Sequence, residues 1–273
     1  MMARHRPDLI STNITSGVIY EAYGPVPTAT RREAEEVMAY LSEMAPADVV
    51  STRVKLKHDE DREPDQVSIA QGSMNVSGIE LRVEAAAATS SSAIHAVGEH
   101  LESKLARLAD RVEGSKTSSP LSGSWTQTDS DPYRPSFRNR PPERRAVVRR
   151  KTYSPLDRLS VTVALFNLDA LGYRFFVFAD AADDRTSIVY RDLDGPALRK
   201  IDGCRSTTRH LPEGLHVNEA EAPSITVADA VSLLNSNDMP FVFFRDRDRG
   251  RASILYRRYD GHYGLLVPSA RIV

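Results

Sequence analysis

FFVFADAADDRTSIVYRDLDG, residues 175–195, and FVFFRDRDRGRASILYRRYDG, residues 241–261, lie sixty-six residues apart and decide how the second half of this chain folds. Laid over one another without a gap they agree at ten of twenty-one positions: Phe175 with Phe241, Phe178 with Phe244, Asp180 with Asp246, Arg185 with Arg251, Ser187 with Ser253, Ile188 with Ile254, Tyr190 with Tyr256, Arg191 with Arg257, Asp194 with Asp260 and Gly195 with Gly261. Chance would give about one or two, so the pair is an internal duplication. Each copy reads as an aromatic strand, a polar turn and a second strand, which is a β-hairpin. Strands with one wet face alternate apolar with polar residues, whereas FFVF and FVFF are apolar on both alternating sets. Something must cover the second face, and the other copy is the nearest candidate. The expected interface between the repeats is Phe175, Phe176, Val177, Phe178, Ile188 and Tyr190 from copy 1 with Phe241, Val242, Phe243, Phe244, Ile254 and Tyr256 from copy 2.

Working outward, 273 residues hold two domains or more. With 41% hydrophobic and 27% charged residues the composition is that of an ordinary globular chain. No apolar run approaches the roughly 18 residues that span a bilayer, and MMARHRPDLISTN has basic residues with no apolar segment after them, unlike a secretory leader. The single cysteine, Cys204, cannot make an internal disulfide. A reducing, cytoplasmic setting is the expectation, which makes the sequons at Asn13 and Asn75 chance matches. The net charge of −1 hides its distribution. Residues 1–115 carry 12 Lys+Arg against 18 Asp+Glu, residues 116–151 carry 9 against 3, and residues 152–273 carry 15 against 16.

The first 114 residues read as a βαβββα domain. VIYEAYG (18–24) is a strand, and a helix follows from Thr28 or Thr30 to about Met44 with Ala34, Val37, Met38 and Leu41 on one face. VVSTRVKLKH, QVSIAQG and IELRVEAAA are three more strands. In the first, Val50, Thr52, Val54 and Leu56 oppose Ser51, Arg53, Lys55 and Lys57; in the last, Ile79, Leu81, Val83 and Ala85 oppose Glu80, Arg82 and Glu84. The sheet is therefore expected to have four strands, with two helices on one face and the other face open. A closing helix over Ser90–Val112 places Ile94, Val97, Leu101, Leu105, Leu108 and Val112 in one stripe, flanked by His100, Lys104, Arg107 and Arg111 on one side and Glu99, Glu102, Asp110 and Glu113 on the other. If this helix lies along the sheet edge, its basic flank continues the Arg53, Lys55 and Lys57 face.

Residues 115–146 are rich in Ser, Pro, Gly and Arg without an apolar period, the composition of a disordered basic linker. Its arginines, with Trp125, Tyr133 and Phe137 among them, suit either contact with single-stranded RNA or a plain solvated tether. Copy 1 (147–205) then has a strand VVRRKTY, a helix over 160–170, the hairpin and a tail PALRKID. Copy 2 (206–273) has a strand near Leu215–Val217, a helix from Ser224 or Thr226 to Asn235, the hairpin and a last strand HYGLLVP, the strand that copy 1 is expected to lack. Each copy is too small for a core of its own. The fold class is thus α+β, with two tandem βαβββ-like repeats paired with each other.

A βαβββα domain, a basic linker and a unit containing FFVF…SIVYR and ILYRRYDGHYGLLVP together resemble the long form of bacterial ribosome hibernation promoting factors, the ribosome-associated translation inhibitor or sigma-54 modulation family. The resemblance spans nearly the whole chain and is most specific in the C-terminal signature. It implies an N-terminal domain that binds the decoding channel of the small ribosomal subunit, against 16S rRNA and ribosomal proteins, blocks the tRNA and mRNA sites and stabilises idle 70S ribosomes. It also implies a C-terminal domain that homodimerises. The sequence departs from the pattern in carrying two C-terminal units, as in the dormancy- and hypoxia-associated factors of mycobacteria, and in an acidic first helix (Glu33, Glu35, Glu36, Glu43). The expected RNA contacts are accordingly Arg53, Lys55, Lys57, Arg82, His100, Lys104, Arg107 and Arg111, with Arg31 and Arg32 secondary. RNA of irregular shape is held mainly through phosphates and 2′-hydroxyls, which suits guanidinium and ammonium groups on a rigid face.

No phosphate-cradling glycine loop, HExxH or nucleophile elbow is present. Asp246, Asp248 and Gly250 imitate the start of a calcium loop but fall in a hairpin turn with no glutamate at the required place. The expectation is a non-enzymatic factor without cofactor or metal, acting on neither membrane nor DNA. Its repeats pair within one chain, a swapped homodimer being the alternative arrangement. A second reading, favoured by the acidic N-terminal domain, is a dimerisation scaffold that binds a protein partner such as a transcription factor.

Overall fold

The computed structural model describes residues 9–15, 17–60, 62–112, 135–137, 140–153, 158–192, 195–201, 211–237 and 239–268; Cys204 and residues 115–134, 138 and 139 of the expected linker lie outside them. The chain divides into two compact units, one built on residues 9–112 and the other on most of 137–268.

The first unit runs β1 (Leu9–Thr15), β2 (Val18–Tyr23), α1 (Thr28–Glu43), β3 (Val49–His58), β4 (Ser68–Val76), β5 (Ile79–Ala87) and α2 (Ser90–Val112). The sheet order follows the sequence, β1-β2-β3-β4-β5. β2 and β3 pair in parallel because α1 carries the chain back over the sheet; the other neighbours are antiparallel. The four expected strands are joined at the edge by β1, which the polar run LISTNIT does not announce. Val18, Tyr20 and Ala22 of β2, Val54 and Leu56 of β3, Ala70 and Met74 of β4 and Leu81, Val83 and Ala85 of β5 are buried, as are Ala34, Met38 and Leu41 of α1 and Ile94, Val97, Leu101, Leu105 and Leu108 of α2. Each large side chain removed from water in this way contributes about 1.5–3 kcal/mol. Val112, assigned to the same stripe, is instead exposed at the last turn. The helix packs tightly over Gly72, where a Cβ would stand 2.5 Å from the Val97 side chain.

The second unit holds both repeats. Copy 1 contributes β6 (Val147–Tyr153), β7 (Arg158–Leu159), α3 (Val161–Ala170), β8 (Phe175–Asp180), β9 (Thr186–Asp192) and β10 (Gly195–Lys200). Copy 2 contributes β11 (His216–Asn218), β12 (Ser224–Ile225), α4 (Val227–Ser236), β13 (Phe241–Asp246), β14 (Arg251–Arg257) and β15 (Tyr263–Pro268). Thr226 starts α4 with a capping box: its hydroxyl accepts from the Asp229 backbone N–H, and the Asp229 carboxylate accepts from the Thr226 backbone N–H.

Two expectations are corrected here. Copy 1 does have a closing strand: β10 pairs antiparallel with β9, with Ile188 opposite Arg199, as Ile254 lies opposite Leu266 in copy 2. The gapless alignment concealed this because the turn before the closing strand is one residue longer in copy 2; four residues separate the Arg191–Pro196 pair and five the Arg257–Tyr263 pair. The first strands, moreover, do not stay with their own copies. The two sheets are ordered β11-β10-β9-β8-β7 and β12-β13-β14-β15-β6. β6 pairs in parallel with β15 of copy 2, and β11 pairs in parallel with β10 of copy 1. Each sheet thus takes its fifth strand from the other copy, on the edge that the closing strand would otherwise leave unpaired.

Candidate functional site: an open basic sheet face and a paired repeat core

Pleating decides which basic residues share a surface. On β3, Thr52, Val54 and Leu56 are buried under the helices, so Arg53, Lys55 and Lys57 point to the opposite, open face. Arg82 of β5 alternates with buried Leu81 and Val83 and joins the same face. His100, Lys104, Arg107 and Arg111 are on α2, in the helix layer. The two basic sets therefore lie on opposite sides of the sheet and the single continuous strip expected from sequence does not form. Lys104 is further set apart by being buried, at 8% exposure, whereas Arg111 is exposed. Arg31 and Arg32 are engaged along α1 with Glu35 and Glu36, at 2.8 and 2.9 Å.

The open face also carries groups that sequence reading passed over. Lys55 lies 4.5 Å from the centre of the Tyr23 ring, whose hydroxyl donates to Glu21 at 3.3 Å. Arg53 stands 4.0 Å from the same Glu21, Lys57 is 2.6 Å from Asp59, and Arg82 donates to Gln71 at 3.0 Å while standing 4.0 Å from Glu84. Burial pushes the Glu84 carboxyl above its usual range against the pull of Arg82, Arg62 and Lys55. The period-two pattern of β2 could have revealed Glu21 and Tyr23, since they alternate with buried Tyr20 and Ala22. The face is thus a set of cations held in place by interleaved carboxylates and one aromatic ring. Such a surface suits phosphates that displace the carboxylates, or a partner of mixed charge.

The repeat core divides the twelve residues expected at the pairing interface by the same alternation. Phe176 and Phe178 pack under α3 with Leu165, Leu168, Val189 and Leu198. Val242 and Phe244 pack under α4 with Leu234, Leu255, Tyr263 and Leu265. These four leave the interface as a correction: in a strand only every second side chain faces one way. Phe175, Val177, Ile188, Tyr190, Phe241, Phe243 and Ile254 do come together in one cluster between the copies, with Ala222, Ala252, Ile201 and Leu266. The Phe175 and Phe241 rings, equivalent residues of the two copies, are 4.9 Å apart. Phe175 meets Tyr256 at 5.7 Å, mirrored by Tyr190 with Phe241 at 5.5 Å. Equivalent residues touching at the centre, with reciprocal contacts on either side, define a pseudo-twofold axis.

The expected turn at Asp246 is a hairpin turn, in which the Asp246 carboxylate accepts from the Asp248 backbone N–H at 3.1 Å and the Asp246 carbonyl from the Gly250 N–H at 2.7 Å. No cluster of metal-binding side chains occurs among the described residues.

Comparison with known proteins assigns the duplicated part. The family described as "Sigma 54 modulation/S30EA ribosomal protein C terminus" matches at residues 142–196 and again at 215–265. Each of the two matched stretches contains one of the hairpins that meet across the pseudo-twofold, so the chain resembles the C-terminal domain of that family twice over. A protein named dormancy associated translation inhibitor, from Mycobacterium tuberculosis, is 34% identical over 149 residues, which covers 50% of this chain and 53% of that one. The ribosome-binding factor PSRP1 of the Spinacia oleracea chloroplast is 40% identical over 58 residues, covering 21% of this chain and 19% of that one. The chain spans about half the length of the mycobacterial relative it matches. Among solved structures, the N-terminal domain of Thermus thermophilus Protein Y matches with a TM-score of 0.28 and 18% identity, covering 35% of this chain and 99% of that one.

Proposed function

We propose that this protein is a non-enzymatic ribosome hibernation factor. Its N-terminal domain occupies the decoding channel of the small subunit, blocks the mRNA and tRNA sites and holds the 70S particle idle. The observation that carries the reading is the doubled match to the S30EA C-terminal domain, together with relatives named a translation inhibitor and a ribosome-binding factor. Arg53, Lys55, Lys57 and Arg82 on the open sheet face are the primary contacts to 16S rRNA phosphates, and His100, Arg107 and Arg111 on α2 form a second surface.

The two C-terminal domains pair within one chain. A second copy tethered to the first meets it at an effective concentration of about millimolar, which outcompetes a second molecule at ordinary cellular levels. The exchanged strands β6 and β11 already fill both free sheet edges from within the chain, so the factor silences single 70S ribosomes rather than joining two.

Sucrose-gradient sedimentation with purified ribosomes tests both statements. The protein is expected in the 30S and 70S fractions with no 100S peak, and its binding falls as salt rises because phosphate contacts release counterions. Arg53→Glu combined with Lys55→Glu is expected to weaken binding at least tenfold, since hydrogen bonds to charged groups contribute about 1.5–3 kcal/mol each. A 100S peak that appears only with this protein overturns the one-chain pairing. Unchanged, salt-insensitive binding by the double variant overturns the RNA face and favours the second reading, a scaffold for a protein partner, to which the interleaved Glu21, Asp59 and Glu84 lend some support.

A further inference from the structure

Phe137, in the stretch expected as linker, packs against the repeats. The Phe137 ring stacks on Tyr259 with centroids 5.5 Å apart and planes 23° from parallel. The guanidinium carbon of Arg174 lies 4.7 Å from its centre and that of Arg257 5.2 Å. Arg174 belongs to copy 1, at the entry to β8, while Arg257 ends β14 of copy 2 and Tyr259 is in the following turn. The slot therefore exists only where the two copies meet.

Duplication should have produced two such slots, related by the pseudo-twofold, and it has left one. The sequence counterpart of Arg174 is Pro240, and that of Tyr259 is Leu193. Arg257 alone has its like in Arg191. The second site thus lacks both the stacking ring and one of the two cations. One slot per pair matches one linker per chain.

We propose that this slot is an intramolecular docking site for Phe137, formed by pairing of the two repeats, which fixes where the tether to the N-terminal domain begins. The inference rests on the one-chain pairing proposed above. Cation–π contact and ring stacking reward an aromatic occupant over an aliphatic one of similar size. Docking and pairing are then linked reciprocally: Phe137 stabilises the paired repeats, and unpairing releases Phe137.

The test is limited trypsin digestion of the full-length protein, following cleavage of the Arg138–Asn139 bond by mass spectrometry, with cleavage after Lys116 as the internal reference and the molar mass of each sample measured by light scattering. Phe137→Ala and Phe137→Leu are expected to accelerate cleavage after Arg138 at least fivefold, whereas Phe137→Trp stays within twofold of the parent. Arg174→Gln, a change in the other copy from Tyr259, is expected to accelerate it as well. All variants should remain monomeric. Unchanged cleavage in monomeric Phe137→Ala overturns the docking site and leaves the pairing intact. Acceleration by Tyr259→Ala but not by Arg174→Gln overturns the claim that both copies build the slot. A dimeric parent protein overturns the one-chain pairing on which the proposal depends.

Discussion

The two copies agree in their frame and part along one strand. Under the helices, Ala164, Leu168 and Phe178 of copy 1 answer Ala230, Leu234 and Phe244 of copy 2, and across the pseudo-twofold Phe175, Ile188 and Tyr190 answer Phe241, Ile254 and Tyr256. The closing strands differ nearly throughout. Where copy 2 has Gly264, Leu266 and Val267, copy 1 has Ala197, Arg199 and Lys200 in the same register. Residues near the axis meet their own equivalents, so a change in one copy is felt by its counterpart in the other. The closing strand instead meets an exchanged strand, and the two exchanged strands are unlike: β6 runs seven residues and β11 three. Freed from the symmetry, the closing strands have taken different solutions to the same burial problem.

The sharpest contrast is Lys200. It is 1% exposed, with its ammonium 2.9 Å from the Asp180 carboxylate and also bonded to Asp183, while the corresponding position of copy 2 is the aliphatic Val267, packed beside Tyr263 and Leu265. Lys200→Met makes copy 1 resemble copy 2 but leaves buried Asp180 without its cation, and is expected to cost about 3–5 kcal/mol by denaturant unfolding at pH 7. Burial alone would raise the Asp183 carboxyl; the hydrogen bonds from Lys200 and from the Arg185 backbone N–H outweigh it and hold it below the usual carboxylate range. A depressed carboxyl stabilises the fold above its unfolded value and loses that contribution as pH falls through the folded value. The gap between parent and Lys200→Met should therefore narrow below about pH 4. A gap equally wide at pH 3 and pH 7 assigns the loss to packing instead of charge.

At the axis the expected effects are equal. Phe175→Ala and Phe241→Ala each remove one ring of the central pair and should each cost about 3 kcal/mol. Because the rings touch, the double variant should cost clearly less than the sum. Additive losses would mean that each ring serves its own copy, and the pairing would fail as the organising contact.

Sequence alone reached the helices, the hairpins and the helix-covered sheet because those are local periodicities. α2 runs over the residues assigned to it, and Thr226 caps α4. The interface was legible as a requirement, since FFVF and FVFF are apolar on both sides. Alternation then divided Phe175 from Phe176, and Phe241 from Val242, in a way that a list of whole strands did not. What escaped was non-local. Nothing within VVRRKTY says that it joins a strand 116 residues away, at Tyr263, and a one-residue difference in a turn hid the closing strand of copy 1 behind an alignment without gaps. The basic surface failed similarly: Arg53 and Arg107 were each placed correctly on their own elements, but whether a helix covers the face or lies along the edge is decided by packing.

The smallest effect examines why copy 2 keeps a glycine where copy 1 has alanine. A Cβ on Gly264 would stand 2.2 Å from the ring of Tyr256, which lies across β15 on its way to Phe175. In copy 1, Ala197 sits opposite Tyr190 without such a collision, and the Tyr190 hydroxyl accepts instead from Asn218 of β11 at 3.4 Å. The glycine thus leaves room for the Tyr256 ring where it crosses β15. Gly264→Ala should cost about 1–3 kcal/mol through displaced packing, against about 1–2 kcal/mol for Ala197→Gly, which adds backbone freedom and loses one buried methyl without displacing any neighbour. Tyr256→Leu removes the obstacle, so Gly264→Ala introduced into that background should cost little or nothing. If Gly264→Ala costs as much with leucine at position 256 as with tyrosine, the ring is not what demands the glycine, and the two closing strands differ for a reason that lies elsewhere in β15.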